Sequence, residues 1–455
     1  MAATSSRRAP DTGTLAARFE AAGVAGLHIV WADNNGIARS RTVPIGRLPA
    51  VAERGVGATT LLAVFDTHDA ITFAAAGLGT PSGDTRLVPV LDRAVQLAGQ
   101  PAFAWAPARV LTDTGEPWPF DPRGALEAQV ARATALGLDV CCGYEVEFFL
   151  GRSTDELVAA HSGPAYSAQA LLDVDEFAAQ LIRDLKANGL EIGQLHAEYG
   201  LAQVEISLPA TDPMRAADDQ LLARQTIKAA ARAHGLRASF APLITAAGVG
   251  QGWHIHTSVL RDGRNLLAGD ESGPRGDGAR FVGGLLRDLP ALSAVTAPSV
   301  PSVARLRPGY FAGAYTFWGV HNREATLRYV PSSPFLGEEH ANIEVKVSDA
   351  SANPYLALAA VIAAGLAGIE DGADLPAPIQ EDPGGWSADE RAARGVLSLP
   401  ATAAEQEAAL TGSDRICAAL GPERLSAFLA VRRSDAAWAA ERSLEEVVAA
   451  HLWRY

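Results

Sequence analysis

After Gly26 the chain opens with two strand-length runs, GLHIVWA and ARSRTV, joined by Asp33-Asn34-Asn35-Gly36, a sequence that favours a tight turn. Short β-like runs such as TRLVPVL and a Gly-rich stretch, AAAGLGTPSGD, continue to about Pro107 and predict a small, mostly β unit. DPRGALEAQVARATALGL then starts on Asp-Pro, places apolar residues at helical spacing and closes on Gly137, which marks both ends of a helix. Beyond it, the amphipathic segments VDEFAAQLIRDLKANGL and MRAADDQLLARQTIKAAARAHGL, each ending in Gly, predict helices. They alternate with the strand patterns DVCCGYEVEFFL, AQVEISL, WHIHTSVL, EATLRYV and NIEVKVS. Strands with their polar positions on one side predict an antiparallel sheet whose polar face lines a site. The apolar run from Tyr355 to Ile369 is too short for a bilayer and predicts a buried, Ala-rich helix. Helices follow a polar stretch after Pro376, and no internal repeat is found.

Composition narrows the class. The length of 455 residues suits two or three domains, and 48% apolar with 20% charged residues can bury a large core. The 38 basic and 52 acidic side chains give a charge of -14 with no basic block, which argues against nucleic acid as a partner. Only Lys186, Lys228 and Lys346 are lysines. Cys141, Cys142 and Cys417 provide neither a disulfide framework nor a CxxC pattern, as expected in a reducing cytoplasm. MAATSSRRAPDTG lacks the apolar core of a signal peptide and is read as part of a disordered tail over residues 1–15. No membrane partner is expected.

The chemistry lies on the strands. Glu145 and Glu147 alternate in GYEVEFFL, so both carboxylates share a face, where like charges are costly unless a cation neutralises them. Two such glutamates alone would equally suit a solvated strand face. Glu198, Glu205 and Glu344 add three more strand-associated carboxylates, and His254 and His256 alternate in GWHIHTSVL. Five glutamates and a histidine on sheet positions suit a pair of Mg²⁺ or Mn²⁺ ions. Arg305, Arg323 and Arg328 supply guanidinium forks for carboxylate or phosphate, although any one of them alone would equally suit surface ion pairing.

Taken together, GYEVEFFL, HAEYGLAQVEISL, GQGWHIHTSVL, RLRPGYFAGAYTFWGVHNREATLRYV and IEVKVSDASANPYLALAAVIAAGLAGIE resemble the type I branch of the glutamine synthetase superfamily, in family order. WADNNGIARSRTV extends the resemblance toward the N-terminus. It implies an α+β fold, with a β-grasp domain over residues 16–107 and a catalytic domain over 108–455 built on a curved antiparallel sheet with flanking helices. It also implies a cytoplasmic dodecamer of two hexameric rings with active sites between subunits. By resemblance, Glu147, Glu198 and Glu205 hold one metal and Glu145, His254 and Glu344 the other. His256, Ser258 and Arg328 fall at nucleotide positions, Arg323 and Lys346 at catalytic positions, and Arg305, Gly250 and Phe311 at substrate positions. The implied reaction uses ATP to phosphorylate a carboxylate, which an amine then converts to an amide.

The departures concentrate on the amine side. Ammonia-using members carry an aspartate where this chain has Gly57, and a glutamate directly after Pro-Gly-Tyr where it has Phe311. Ammonium must be bound as a cation and deprotonated, so losing both anions points to an organic amine. Asp66 and Asp69 are the residues that could substitute. Tyr310, Phe317 and Trp318 add aromatic side chains, of which Phe317 and Trp318 suit core or flap packing better than substrate contact. Lys346 and Asn342 stand where the family has arginines, Val249 where it has asparagine, and Leu397 where some members have a modifiable tyrosine. The expected function is therefore a glutamate–amine ligase making a γ-glutamyl amide. The alternatives are an ammonia-using glutamine synthetase and a non-catalytic nucleotide- or amine-binding regulator.

Overall fold

The computed structural model describes residues 11–154 and 156–455. Strands Gly26–Ala32 and Ala38–Pro44 form the expected antiparallel hairpin, with Ala32 opposite Ala38. Gly36 closes the turn at φ 68°, and a Cβ there would lie 2.4 Å from the carbonyl oxygen of Ala352. Glycine is what lets this turn dock on the segment around Asn353, whose Nδ2 donates to the carbonyls of Ala32 and Asp33 at 3.0 Å.

The first sheet has the order Ala38–Pro44, Gly26–Ala32, Phe103–Thr112, Asp84–Pro89, Val56–Thr59, with Val95–Gln96 also on Phe103–Thr112. Gly26–Ala32 and Phe103–Thr112 run parallel, and the other pairs are antiparallel. Alternation divides its faces. Leu27, Ile29, Ala104 and Ala106 join Phe19, Leu48 and Val51 of helices Thr12–Ala21 and Leu48–Arg54 in a small core, which Ala427 and Ala430 of helix Pro422–Ala439 complete. Val30, Ala32 and Trp105 point the other way, into the main core. The strand Phe103–Thr112 carries this sheet past residue 107. Of the expected tail over 1–15, residues 1–10 lie outside the described residues, and helix Thr12–Ala21 begins within the remainder.

Asp121 then caps helix Pro122–Ala135, its carboxylate accepting from the Arg123 amide. The second sheet has nine strands in the order Trp318–Val320, Leu327–Val330, Asn342–Val345, Trp253–Arg261, Asp139–Arg152, Gln203–Thr211, Leu195–Ala197. Leu236–Ser239 and Arg264–Asn265 pair at its flanks, and only Trp318–Val320 with Leu327–Val330 is parallel. Along Asp139–Arg152, Val146, Phe148 and Leu150 are fully buried in the main core with helices Pro213–Ala233, Asp277–Thr296 and Pro354–Asp371. Burying each such side chain contributes about 1.5–3 kcal/mol and holds the intervening Glu145 and Glu147 on the opposite face. Pro354–Asp371 is long and apolar enough to cross a membrane by length and composition, but it is the expected buried helix.

Candidate active site

Sheet register assembles the polar residues into rows. Glu145 sits opposite His254, His256 opposite Glu344, and Arg328 also opposite Glu344. On the other side Glu147 faces Glu205, which faces His196. A slip of one residue in any strand would turn its share of the row into the core, so the apolar face that anchors each strand also aims its ligands.

One cluster joins Glu145, His254 and Glu344, whose ligand atoms all lie within 4.8 Å of one another. His254 Nδ1 is 3.3 Å from both Glu145 Oε2 and Glu344 Oε1. Glu344 is 0% exposed, bonded to Arg328 Nε and 3.4 Å from Lys346 Nζ. Burial would raise its carboxyl, but Lys346, His256, His254 and Arg328 together hold it below the usual range. Burial also opposes ionisation of Glu145, and hydrogen bonds to His254 and His256 overcome it, so this carboxyl too is lowered.

A second cluster joins His196, Glu198 and Glu205. His196 Nε2 is 3.7 Å from Glu205 and 3.9 Å from Glu198, and Tyr166 donates a 2.9 Å bond to Glu198 Oε1. Glu205 is pushed up to about 9, first by burial and then by Glu147, Glu145, Glu198 and Glu344. Glu147 stands between the clusters, accepting from Gln203 Nε2 at 2.8 Å and the Gly252 amide at 2.6 Å, with Oε1 3.8 Å from His254 Nε2. Burial, reinforced by four neighbouring carboxylates, holds this fifth carboxyl in its protonated form, and a divalent cation bound among them would offset that repulsion. Oxygen donors with one imidazole each match a hard divalent cation.

Residues 119–447 match the family described as glutamine synthetase, catalytic domain. The chain belongs to the glutamine synthetase family. It is 43% identical over 439 residues to gamma-glutamylpolyamine synthetase GlnA3 of Streptomyces coelicolor, covering 95% of this chain and 94% of that protein. Among solved structures, a crystal structure of a novel glutamine synthase homolog superposes with TM-score 0.85 at 31% identity, covering 95% of this chain and 99% of the other. A GmaS/ADP complex gives TM-score 0.82 at 27% identity, covering 95% and 97%. The glutamine synthetase fold expected from the sequence is thereby borne out.

Within this glutamine synthetase fold, His256 and Ser258 line a cleft of about 220 Å³ together with Glu145, His340 and Asn342. His256 Nδ1 lies 2.9 Å from Asn342 Oδ1, and Ser258 Oγ donates to the Ala341 carbonyl at 2.8 Å. Burial opposes the charged form of His256, but Glu145 and Glu344 raise its pKa overall. Arg323 is exposed, whereas Lys346 is 6% exposed, buried against Glu344. Arg305 lies buried beneath Gly250, with Nη2 donating to the Ser348 carbonyl at 3.0 Å and Nε 3.6 Å from Asp349. A Cβ on Gly250 would come within 2.2 Å of Arg305 Cγ and 2.7 Å of the Pro242 carbonyl. If Arg305 meets the acid substrate, as the resemblance implies, Gly250→Ala is expected to shift it and raise the KM for that acid about tenfold, leaving the KM for ATP within about twofold. Unchanged acid KM in steady-state ADP release would refute that role.

The residues expected on the amine side separate clearly. Phe311 is 59% exposed at φ 54°, while Phe317 and Trp318 are buried core side chains. Asp66 caps its own turn through the His68 and Ala70 amides and accepts from Ser434 Oγ. Asp69 is held by Arg39 at 2.6 Å and Arg454 at 2.7 Å. Both candidate replacement carboxylates are therefore already neutralised or hydrogen-bonded within the fold. His196, Tyr166 and Gln203 complete the site without having been expected from the sequence. The alternation of His196 with Glu198 in HAEYG was a usable signal; for Tyr166, which approaches from a loop, none existed.

Proposed function

We propose that the protein is an ATP-dependent ligase that phosphorylates the side-chain carboxylate of glutamate, or a related acid, and transfers the acyl group to an organic amine. The products are a γ-glutamyl amide, ADP and phosphate. The observation that carries this reading is the near full-length similarity to a gamma-glutamylpolyamine synthetase, combined with Phe311 and Gly57 at the two positions where ammonia-using members carry acids.

In this reading Glu145, His254 and Glu344 hold one Mg²⁺ or Mn²⁺, and Glu147, Glu198 and Glu205 the other, with His196 in reach of the second. When bound, such ions supply Lewis-acid neutralisation of phosphate oxygens. The chain's own groups do the rest. His256 and Ser258 line the cleft assigned to the nucleotide, and Arg328, anchored on Glu344 by Nε, keeps further N–H donors for phosphate. Arg323 and Lys346 offer positive charge to the transferring phosphoryl group. Arg305 under Gly250 is assigned to the acid's α-carboxylate, and Phe311 to the amine. An amine arriving neutral needs no anionic side chain to bind it as a cation or deprotonate it before attack, and the proton it loses as the amide forms can leave with the displaced phosphate, which suits an aromatic side chain at that position.

The same reading places the β-grasp unit and the catalytic unit in one chain, with the division after the strand ending at Thr112, and assigns a cytoplasmic homo-oligomer of two hexameric rings. An ammonia-using enzyme is disfavoured by the engaged states of Asp66 and Asp69. A non-catalytic regulator is disfavoured by the retained clusters of buried charge, which a scaffold does not need. The test is ADP release across a matrix of acids and amines, with mass detection of the amide. Glutamate with at least one organic amine is expected to turn over about tenfold or more faster than with ammonia. Ammonia outpacing every organic amine would overturn the assignment.

A further inference from the structure

Glu324 lies between Arg323 and the strand Leu327–Val330, and the reaction described above gives it no role. It is nevertheless 5% exposed, and both of its carboxylate oxygens are used. Oε1 accepts from the Gly309 amide and Oε2 from the Phe311 amide, each at 3.1 Å. One side chain thus spans a turn and holds the backbone on either side of Tyr310.

That turn needs holding. Gly309 adopts φ 78° and Phe311 φ 54°, the left-handed region that a phenylalanine avoids unless its surroundings impose it. Upstream, Arg307 donates to the Gly248 carbonyl at 2.7 Å and stacks on the Tyr310 ring at 4.2 Å. Glu324 itself is fixed from behind: its amide donates to Asn322 Oδ1 at 3.0 Å, and Asn322 Nδ2 donates to the Ile379 carbonyl at 2.9 Å. Two residues further on, the Thr326 carbonyl accepts from the Lys346 amide at 3.0 Å, which ties the same segment to the centre of the site. The clamp therefore connects the row of charged strand residues to an exposed aromatic ring.

We propose that Glu324 is a positioning residue for the amine: by holding the amides of Gly309 and Phe311 it fixes the turn that presents the Phe311 ring. The proposal rests on the ligase reading, in which Phe311 meets the amine. Selectivity for the amine then depends on a buried carboxylate that never touches it. A residue serving only as a fold brace would alter stability and every Michaelis constant together.

Glu324→Ala, Glu324→Gln and Phe311→Ala in the full chain distinguish these roles. Glu324→Ala should raise the KM for the amine about tenfold or more, with the KM for ATP and glutamate changing by less than about twofold. Glu324→Gln keeps the volume and one acceptor, and should fall between it and wild type. Phe311→Ala should reproduce the amine effect, and adding Glu324→Ala to it should change little further, as for two residues acting as one unit. Without any substrate, amides 309–313 should exchange with solvent about tenfold or more faster in the Glu324 variants. Unchanged exchange, or equal shifts in all three Michaelis constants, overturns the proposal. Should Glu324→Ala not fold, the Gln and Phe311 variants decide the matter by the same readouts. Absence of amide formation in the wild type with every amine would overturn the ligase reading and the amine role with it, whereas the exchange measurement still judges the clamp.

Discussion

Glu205→Gln is expected to abolish ligation while leaving the metal-free protein at least as stable as wild type. Burial and the carboxylates of Glu147, Glu145, Glu198 and Glu344 push Glu205 up to about 9, so near neutral pH it carries a proton in the metal-free fold. Glutamine has nearly the same shape and, like the protonated carboxyl, no charge, so it should leave the metal-free fold undisturbed. It cannot supply the anionic oxygen that a divalent ion needs, so ADP release should fall about 100-fold or more. The linkage has a definite sign. Between the ordinary carboxylate value of 4.5 and about 9 the folded state binds more protons than the unfolded state, so wild-type stability falls as pH rises through that window. One group contributes at most about 1.4 kcal/mol per pH unit. The variant should lack this slope, and Mg²⁺ should protect the wild type more strongly at higher pH because its binding displaces the proton. Thermal melts from pH 5 to 9, with and without Mg²⁺, check both statements. A variant markedly less stable than wild type, or one still active with Mg²⁺, would contradict the assignment.

Glu344→Ala should behave in the opposite way. This carboxylate is fully buried between Arg328, Lys346 and His254, and its ionised form is the favoured one. Removing it leaves Lys346 and Arg328, both largely buried, without their shared anion. Breaking a buried ion pair from one side costs about 3–5 kcal/mol, so urea unfolding should show a large loss alongside an activity loss of about 100-fold or more. Adding Lys346→Met should recover part of the stability and none of the activity. Wild-type stability in Glu344→Ala would mean that the two cations do not depend on this residue.

The contrast between these two glutamates was not visible in the sequence, although their positions were. Period-two alternation in GYEVEFFL and GWHIHTSVL sufficed to place Glu145, Glu147, His254 and His256 on one face, because the intervening Val146, Phe148 and Ile255 are core residues. Which carboxylate would keep its proton depends on cross-strand partners such as Glu147 opposite Glu205, and register is a property of the assembled sheet. Glu324 and Tyr166 escaped for a related reason. Glu324 acts on a turn that includes a left-handed phenylalanine, and Tyr166 reaches Glu198 from a left-handed position of its own. Asp66 and Asp69 looked available because the residues that reach them from outside their own turn, Ser434, Arg39 and Arg454, lie 368, 30 and 385 positions away. The aromatic segment Phe317-Trp318 was better suited to packing than to substrate, and both side chains are buried, with Trp318 Nε1 donating to the Pro376 carbonyl.

The small core of the N-terminal sheet is completed by Ala427 and Ala430, and Thr67 is bonded to Asp435 across the same boundary. During synthesis this sheet therefore emerges long before the helix that closes it. At a synthesis rate of about 5–20 residues per second, the wait for that helix lasts about 15–60 s. Over that interval Leu27, Ile29 and their neighbours have only the local helices for cover. The N-terminal sheet is in this sense made early and finished late, and its final structure depends on a helix about 300 residues further along the chain.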